Sequence, residues 1–274
     1  MSRPFRKRPD APRKAGPSSG ATPWDRVADW YDRLVGERGS DYHRNVILPA
    51  ALRILDVQPG ERVLDACCGQ GVLARELACS RVAEVVGVDL SDQLIAAARS
   101  RSAGDARLKF VVGDARELDE ILTRNSFDAA ACIMAVHDLA EIDPVYAAVA
   151  RVLKPGGRFV QIMTHPCFRL PRQSAWGWDA ERKIQYRRMD RYATAMTVPI
   201  SIAPSGEAAE QTTYHHRPLA DILGPLGRAG LPVIACEELY THHEVEPGGR
   251  SRGENRSFRE FPLFLALKSV RMAT

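Results

Sequence analysis

Val63-Leu64-Asp65-Ala66-Cys67-Cys68-Gly69-Gln70-Gly71-Val72-Leu73 reads as a buried strand that runs into a glycine-containing turn, and the turn opens a helix. Having no Cβ, Gly69 and Gly71 let the backbone come close to a ligand. Asp65, at the carboxyl end of the strand, faces the crevice where sheets of this kind bind ligands. Any βα unit contains a strand, a turn and a helix, so the turn alone identifies nothing. The next two strands add what it lacks. Val85-Val86-Gly87-Val88-Asp89 ends in an acid at about the 20-residue spacing that places a carboxylate against ribose hydroxyls. Phe110-Val111-Val112-Gly113-Asp114 ends in another, next to where an adenine ring would lie. One strand-end carboxylate is commonplace; three at successive strand ends of one βαβαβ unit describe a nucleoside site.

Outward from this unit the texture alternates. Strand-like runs at Arg62–Ala66, Glu84–Asp89, Leu108–Val112, Phe127–Met134 and Gly157–Met163 are separated by helical runs at Val72–Ala78, Asp92–Ser102, Arg116–Leu122 and Pro144–Leu153. Such alternation implies a parallel sheet covered on both faces, and right-handed crossovers make it doubly wound. Two amphipathic helical runs precede it, Trp24–Leu34 and Tyr42–Leu55, with Pro49 marking a kink or a helix start. The alternation stops at Thr164. Residues Thr164 to Gln211 hold Trp176, Trp178, Tyr186, Tyr192 and many charges without a clean period. A helix at Pro218–Ala229 resumes the core, and strands at Pro232–Leu239 and Phe261–Lys268 flank a Gly- and Arg-rich loop, Glu246 to Ser257. Strands joined without a helix should pair antiparallel. The expected fold is therefore α/β: a doubly wound, mostly parallel seven-stranded sheet with an antiparallel last strand, N-terminal helices and a lid insertion after the fifth strand.

Composition limits the partners. The 274 residues are 45% hydrophobic and 26% charged, ordinary for a folded domain. The net charge of +4 misleads: Met1 to Thr22 carries six bases against Asp10, so this segment is +5 and the remaining chain is −1. The body is not a basic nucleic-acid platform, and the tail reads as a solvated, disordered extension. No apolar run approaches the roughly 20 residues of a membrane span, and none follows the basic start as in a secretory signal. Cys67, Cys68, Cys79, Cys132, Cys167 and Cys236 show no zinc-type spacing, which fits a reducing cytoplasm.

The series VLDACCGQG, VVGVDLS, VVGDA and RVLKPGGRF resembles the motif set of class I (Rossmann-like) S-adenosylmethionine-dependent methyltransferases, over roughly Trp24 to Lys268. The resemblance implies S-adenosyl-L-methionine as cofactor. Asp65 and the turn of Cys67, Gly69 and Gly71 would hold its methionine part, Asp89 its ribose, and Asp114 with Ala115 its adenine, with Leu90 a further cofactor contact. Met134, after the fourth strand, would border the methyl group, and Tyr31 would either cover the cofactor or, with Trp30, serve simply as a packing residue. Cys67 stands where the family turn has its first glycine, a departure that narrows the turn. A nicotinamide dehydrogenase would want G-x-G-x-x-G. The chain reads G-Q-G-V-L-A from Gly69, which the looser form tolerates, but Asp65, Asp114 and the antiparallel strand pair favour the methyltransferase. The implied organisation is a basic tail (1–22), a helical cap (23–56), a catalytic domain (57–163 and 213–274) and an acceptor-binding lid (164–212).

Methyl transfer needs alignment, a water-poor site and, for a hydroxyl or a protonated amine, a base. His137, in Met134-Ala135-Val136-His137-Asp138, is the first candidate base, and a turn-capping or pocket-lining role is as good a reading. His165, in Thr164-His165-Pro166-Cys167-Phe168, is the second, as an acceptor contact or as part of a turn stabilised by Pro166. One or two of Tyr214, His215, His216 and Arg217 would line the acceptor pocket. His242-His243-Glu244 hints at a metal, but strand neighbours point to opposite faces, so no metal is expected. The fourth strand lacks the Asn/Asp-Pro-Pro-aromatic signature of amide and adenine N-methyltransferases. Pro166-Cys167 follows the fifth strand, whereas the nucleophile of cytosine-C5 enzymes follows the fourth. The leading expectation is O- or N-methylation of a small molecule under the insertion's aromatics. Two alternatives stand: an RNA methyltransferase using the tail and Arg169, Arg172, Arg182, Arg187, Arg188 and Arg191 as phosphate contacts, and a non-catalytic scaffold.

Overall fold

The computed structural model describes residues 24–201 and 211–273, so the basic tail lies outside the described residues. Strands β1 (Arg62–Ala66), β2 (Glu84–Asp89), β3 (Leu108–Val112), β4 (Phe127–Ile133) and β5 (Leu153–Thr164) form the parallel part of a sheet, completed by β10 (Val233–Leu239) and β11 (Phe264–Val270). The seven strands are ordered β10-β11-β5-β4-β1-β2-β3. β11 runs antiparallel to both of its neighbours, β5 and β10. The order reverses between β1 and β4, and a sheet of this kind opens its ligand crevice at such a reversal.

Alternate residues of the central strands feed two cores. Val63, Val85, Ala129, Ala131 and Ile162 join one with α2 (Leu48–Leu55), α3 (Val72–Ala78) and α4 (Asp92–Arg101). Leu64, Val86, Ala130 and Cys132 join the other with α6 (Asp143–Val152) and α7 (Ala220–Arg228). Burial on both faces is why these strands are near-continuous apolar runs. Ser91 caps α4, its hydroxyl accepting from the Leu94 N–H at 3.2 Å.

Several expected elements take a different form. The first helical run divides into a 3-10 turn, Asp25–Val27, and α1 (Ala28–Val35). The second opens with a π turn, His43–Ile47, and becomes α-helical at Leu48, with Pro49 in the first turn where its missing N–H is tolerated. Between Arg116 and Leu122 there is only a 3-10 turn and α5 (Leu118–Ile121). The aperiodic insertion is two antiparallel hairpins, β6 (Ser174–Asp179) with β7 (Ile184–Met189) and β8 (Met196–Ser201) with β9 (Gln211–His216). The expected Gly- and Arg-rich loop contains α8 (Ser251–Glu260), packed on β7 through Ser257 Oγ donating to the Gln185 carbonyl at 2.8 Å. β10 and β11 therefore pair antiparallel across a connection that does include a helix. No helix among the described residues is long and apolar enough to cross a membrane.

Phe110 of β3 explains two glycines. A Cβ on Gly87 would stand 2.6 Å from Phe110 Cδ1 and 2.9 Å from Cys68 Sγ, and one on Gly71 would stand 2.7 Å from Phe110 Cε1. The Phe110 ring thus lies beneath the turn after β1. Gly87→Ala, at an ordinary strand φ, isolates this overpacking. It is expected to lower unfolding stability by about 1–3 kcal/mol, read as a drop in the urea midpoint at constant slope; an unchanged midpoint would refute the packing account.

Candidate cofactor and acceptor site

The turn after β1 is wound through the left-handed region at Cys67 (φ 59), Gly69 (φ 53) and Gly71 (φ 78). For Cys67 this conformation costs roughly 1–2 kcal/mol that glycine would not incur. The turn stays tied to the sheet by Cys68 N–H donating to the Val88 carbonyl at 3.0 Å. Asp65, 2% exposed, sits beneath it. The Ala74 N–H bonds its carboxyl, but Oδ2 has no hydrogen-bond partner among the described residues. Burial, with Asp89 adding repulsion, pushes the Asp65 carboxyl up to about 8 against the pull of the Ala74 N–H and Arg75.

Asp89 accepts from Gly69 N–H at 2.8 Å on Oδ2 and from Ser91 N–H at 3.0 Å on Oδ1. Burial still raises its pKa, since those N–H bonds only partly offset desolvation. Ser91 Oγ in turn donates to Asp25 at 2.5 Å, drawing the N-terminal segment onto the rim. Asp114 differs. Burial pushes its carboxyl up, but the Arg116 guanidinium at 2.5 Å and the Arg116 N–H at 2.9 Å outweigh this and hold it below the usual range. Ala115 beside it is buried, and Leu90 is exposed at the lip. Tyr31 of α1 lies over the turn: a Cβ on Gly69 would be 3.3 Å from its Cε1. Burial and then the charges of Asp89, Asp138 and Asp65 push the Tyr31 hydroxyl far above its ordinary range, which places the ring among those acids.

On the other side of the crevice Met134, at φ 57, turns the chain out of β4 while its N–H holds the Ile162 carbonyl at 2.7 Å. His137 follows. Its ring lies 5.2 Å from that of Tyr214 of β9, and its Nδ1 is buried without a hydrogen-bond partner among the described residues. Burial, then the Arg217 charge, lowers its pKa to about 4, so the imidazole is neutral at physiological pH. Burial holds Asp138, beside it, well above the carboxylate range. Tyr214 OH pairs with Thr164 Oγ1 at 2.8 Å, at the end of β5. Arg217 clamps the segment after β4 by donating to the Leu139 and Ala140 carbonyls at 2.5 and 2.8 Å.

His165 is differently engaged. Its Nδ1 accepts from the Cys167 N–H at 3.2 Å and its Nε2 pairs with Glu238 at 3.1 Å, so both ring nitrogens serve the turn. His216 is buried against the Tyr192 carbonyl at 2.7 Å, and His215 bonds Thr197 at 3.2 Å. Of the four insertion aromatics expected over an acceptor, three make contacts within the fold and Tyr186 is exposed. Trp176 packs on Phe258 and Phe261, the Arg250 guanidinium lies over Trp178, and Tyr192 accepts the Leu219 N–H at 2.9 Å. Among the six insertion arginines, Arg187 is engaged with the Phe168 carbonyl, Ser174 and the Trp176 ring, Arg172 with the Pro199 carbonyl and Arg188 with Asp190. The expectation that His242 and His243 diverge is also overturned. They lie beyond the end of β10, not on a strand, and both rings turn toward Asp41.

Residues 63–157 match the family profile of a methyltransferase domain. A demethylmenaquinone methyltransferase from Clavibacter sepedonicus is 36% identical over 155 residues, 56% of this chain and 60% of that protein. The 24-methylenesterol C-methyltransferase 2 of Arabidopsis thaliana is 35% identical over 113 residues, 40% of this chain and 31% of that one. The chain thus spans under two thirds of these curated relatives. The crystal structure of an S-adenosylmethionine-dependent methyltransferase from Mesorhizobium loti superposes with a TM-score of 0.62 at 27% identity, covering 82% of this chain and 95% of the other. In this profile match and in this fold the chain is similar to class I S-adenosylmethionine-dependent methyltransferases.

Within that family fold, sequence reading quoted Asp138 without singling it out and left Tyr214 and Arg217 undifferentiated; no local signal announces that either Tyr214 or Arg217 meets the segment after β4. The burial of His137 has a measurable consequence. A histidine whose folded pKa lies below its unfolded value of about 6.5 favours folding less as pH falls from there through about 4. The stability difference between the native protein and His137→Gln should therefore shift against the native protein by about 3 kcal/mol between pH 7 and pH 4. Denaturant titrations of both proteins across that range measure it, and parallel curves would refute the burial of a neutral ring.

Proposed function

We propose that the protein transfers the methyl group of S-adenosyl-L-methionine to a small-molecule acceptor. The observation that carries this is the buried Asp65 Oδ2 with no hydrogen-bond partner among the described residues, beside a glycine turn at the switch point of the sheet. A desolvated carboxyl without a partner is costly, and an ammonium group placed against it removes the cost. Asp65 would take the α-amino group of the methionine part, with Cys67, Gly69 and Gly71 bending the backbone around it. Asp89 would take the ribose hydroxyls, Leu90 and Ala115 would pack on adenine, and Asp114 would receive its amino group in competition with Arg116. Tyr31 would close over the cofactor, and Met134 would flank the methyl. A scaffold would have no use for Asp65 so placed.

When bound, S-adenosyl-L-methionine supplies a methyl carbon already activated by its sulfonium leaving group. The chain's own task is then to orient the acceptor, exclude water and move one proton. His137 Nδ1, neutral and without a hydrogen-bond partner among the described residues, is the atom we assign to receive the proton of an acceptor hydroxyl or amine. Tyr214 and Asp138 would border the acceptor, and the paired strands β6–β7 and β8–β9 would serve as its cover. His165 is a positioning residue in this reading, holding the end of β5 to Glu238. Arg172, Arg187 and Arg188, already engaged within the fold, weigh against RNA as acceptor. C-methylation is the second reading, favoured by the sterol C-methyltransferase among the relatives. Incubation of the protein with a metabolite extract and a donor carrying a carbon-13 methyl distinguishes the two, because O-, N- and C-bound methyl groups resonate apart in NMR spectra. Incorporation into RNA alone would overturn both.

With Asp65 at about 8 in the free protein, the carboxyl is mostly protonated at pH 7 and must ionise against an ammonium group. Calorimetric titration with S-adenosylhomocysteine at pH 7, in buffers of different ionisation enthalpy, should show release approaching one proton, and Asp65→Asn should abolish it while weakening binding. Heats independent of buffer would refute the Asp65 assignment. Asp89→Ala should weaken the same ligand by about 1–3 kcal/mol; unchanged affinity would remove Asp89 from the ribose.

A further inference from the structure

The N-terminal segment and the loop after β10 meet at three side chains remote in sequence. Nε2 of His242 and Nε2 of His243 lie 3.0 and 2.8 Å from the same oxygen, Oδ2 of Asp41. The two imidazoles face each other with centroids 4.1 Å apart and planes 36° apart. Tyr42 meets each of them edge-on at 5.4 Å, and its hydroxyl reaches Thr241 Oγ1 at 3.1 Å. The other Asp41 oxygen is held by Asn45 Nδ2 at 2.9 Å, and the same amide donates to the Asp41 carbonyl at 3.0 Å. The three donor atoms lie within 4.8 Å of one another, and the side chains keep 29–51% of their surface open to solvent.

Surface hydrogen bonding accounts poorly for this. One imidazole suffices to pair a carboxylate oxygen, and an exposed pair contributes little. Fixing a second ring against the first adds side-chain entropy cost for a contact of the same small size. A shared metal ion accounts for all of it. Two imidazole nitrogens and one carboxylate oxygen are a borderline donor set, and three protein ligands leave a fourth position for water. In tetrahedral coordination such donors stand about 3.3 Å apart, so the two nitrogen–oxygen spacings need to open by only a few tenths of an ångström. Asn45 fixes the carboxylate as the outer shell of a metal site does.

We propose that Asp41, His242 and His243 bind one divalent transition-metal ion, Zn2+ being the best fit, which fastens the segment between α1 and α2 to the loop after β10. The inference is independent of the methyl-transfer reading. The full chain, stripped with chelator and titrated with Co2+, should bind one ion per chain with the visible bands of a nitrogen- and oxygen-ligated site, and Zn2+ should displace it and raise the thermal midpoint. His242→Ala and His243→Ala should each weaken Co2+ by at least tenfold and Asn45→Ala by about tenfold, with native far-ultraviolet circular dichroism confirming that each variant is folded. Absence of stoichiometric binding to the native chain would overturn the proposal. So would binding that survives in the folded double variant, or a thiolate charge-transfer band that moves the ion to the exposed Cys79 or Cys236.

Discussion

The bond from the Gly69 N–H to the Asp89 carboxylate, at 2.8 Å, joins the turn after β1 to the end of β2, and the architecture of the crevice depends on it. The turn passes through three left-handed residues and has few other ways to satisfy its backbone. With one end tied to Val88 and the middle tied to Asp89, it holds a conformation that arches over Asp65. The same carboxylate holds the Ser91 N–H, and Ser91 caps α4 and bonds Asp25. Cofactor turn, helix and N-terminal segment are thus referred to one acid. In this molecule Asp89 is a structural keystone as well as the ribose acceptor we propose, which couples the occupancy of the crevice to the posture of the segment carrying Tyr31.

Electrostatically the crevice is built for the arrival of charge. Asp65 and Asp138 are held above the carboxylate range by burial, and His137 is held below the imidazole range by the same cause. Burial penalises every charged form, so without a ligand these groups tend toward neutrality. A cationic ligand reverses the balance on the acids alone. His137, pressed further down by Arg217, remains neutral with a lone pair available. One buried enclosure therefore leaves acids that gain from pairing with a cation beside an uncharged imidazole, without any special chemistry at either residue.

Side chains with the right chemistry for catalysis are not equivalent here. His137 and His165 both follow a strand's carboxyl end and look alike in sequence. The second has both nitrogens bonded, because Glu238 on β10 and the Cys167 N–H close around it; the first has a nitrogen left over. The insertion follows the same logic. Trp176 and Trp178 share one face of β6, and α8 supplies what covers that face. Gly253 within α8 obscured the helix in the sequence, yet it is required: a Cβ there would stand 2.8 Å from both Trp178 and the Lys183 carbonyl.

The strand bounds of β1, β2 and β3, the acids at their ends and the glycine turn were legible directly, because strands buried on both faces write unbroken apolar runs and a ligand crevice writes carboxylates at their ends. These are local signals, carried by residues close together in the chain. The hairpins, α8, the engagement of His165 and the convergence of His242 and His243 on Asp41 were decided only by tertiary structure. Each depends on which distant surface a side chain meets. Periodicity reports whether a residue faces a core, but it contains no term for the partner that arrives from another part of the fold.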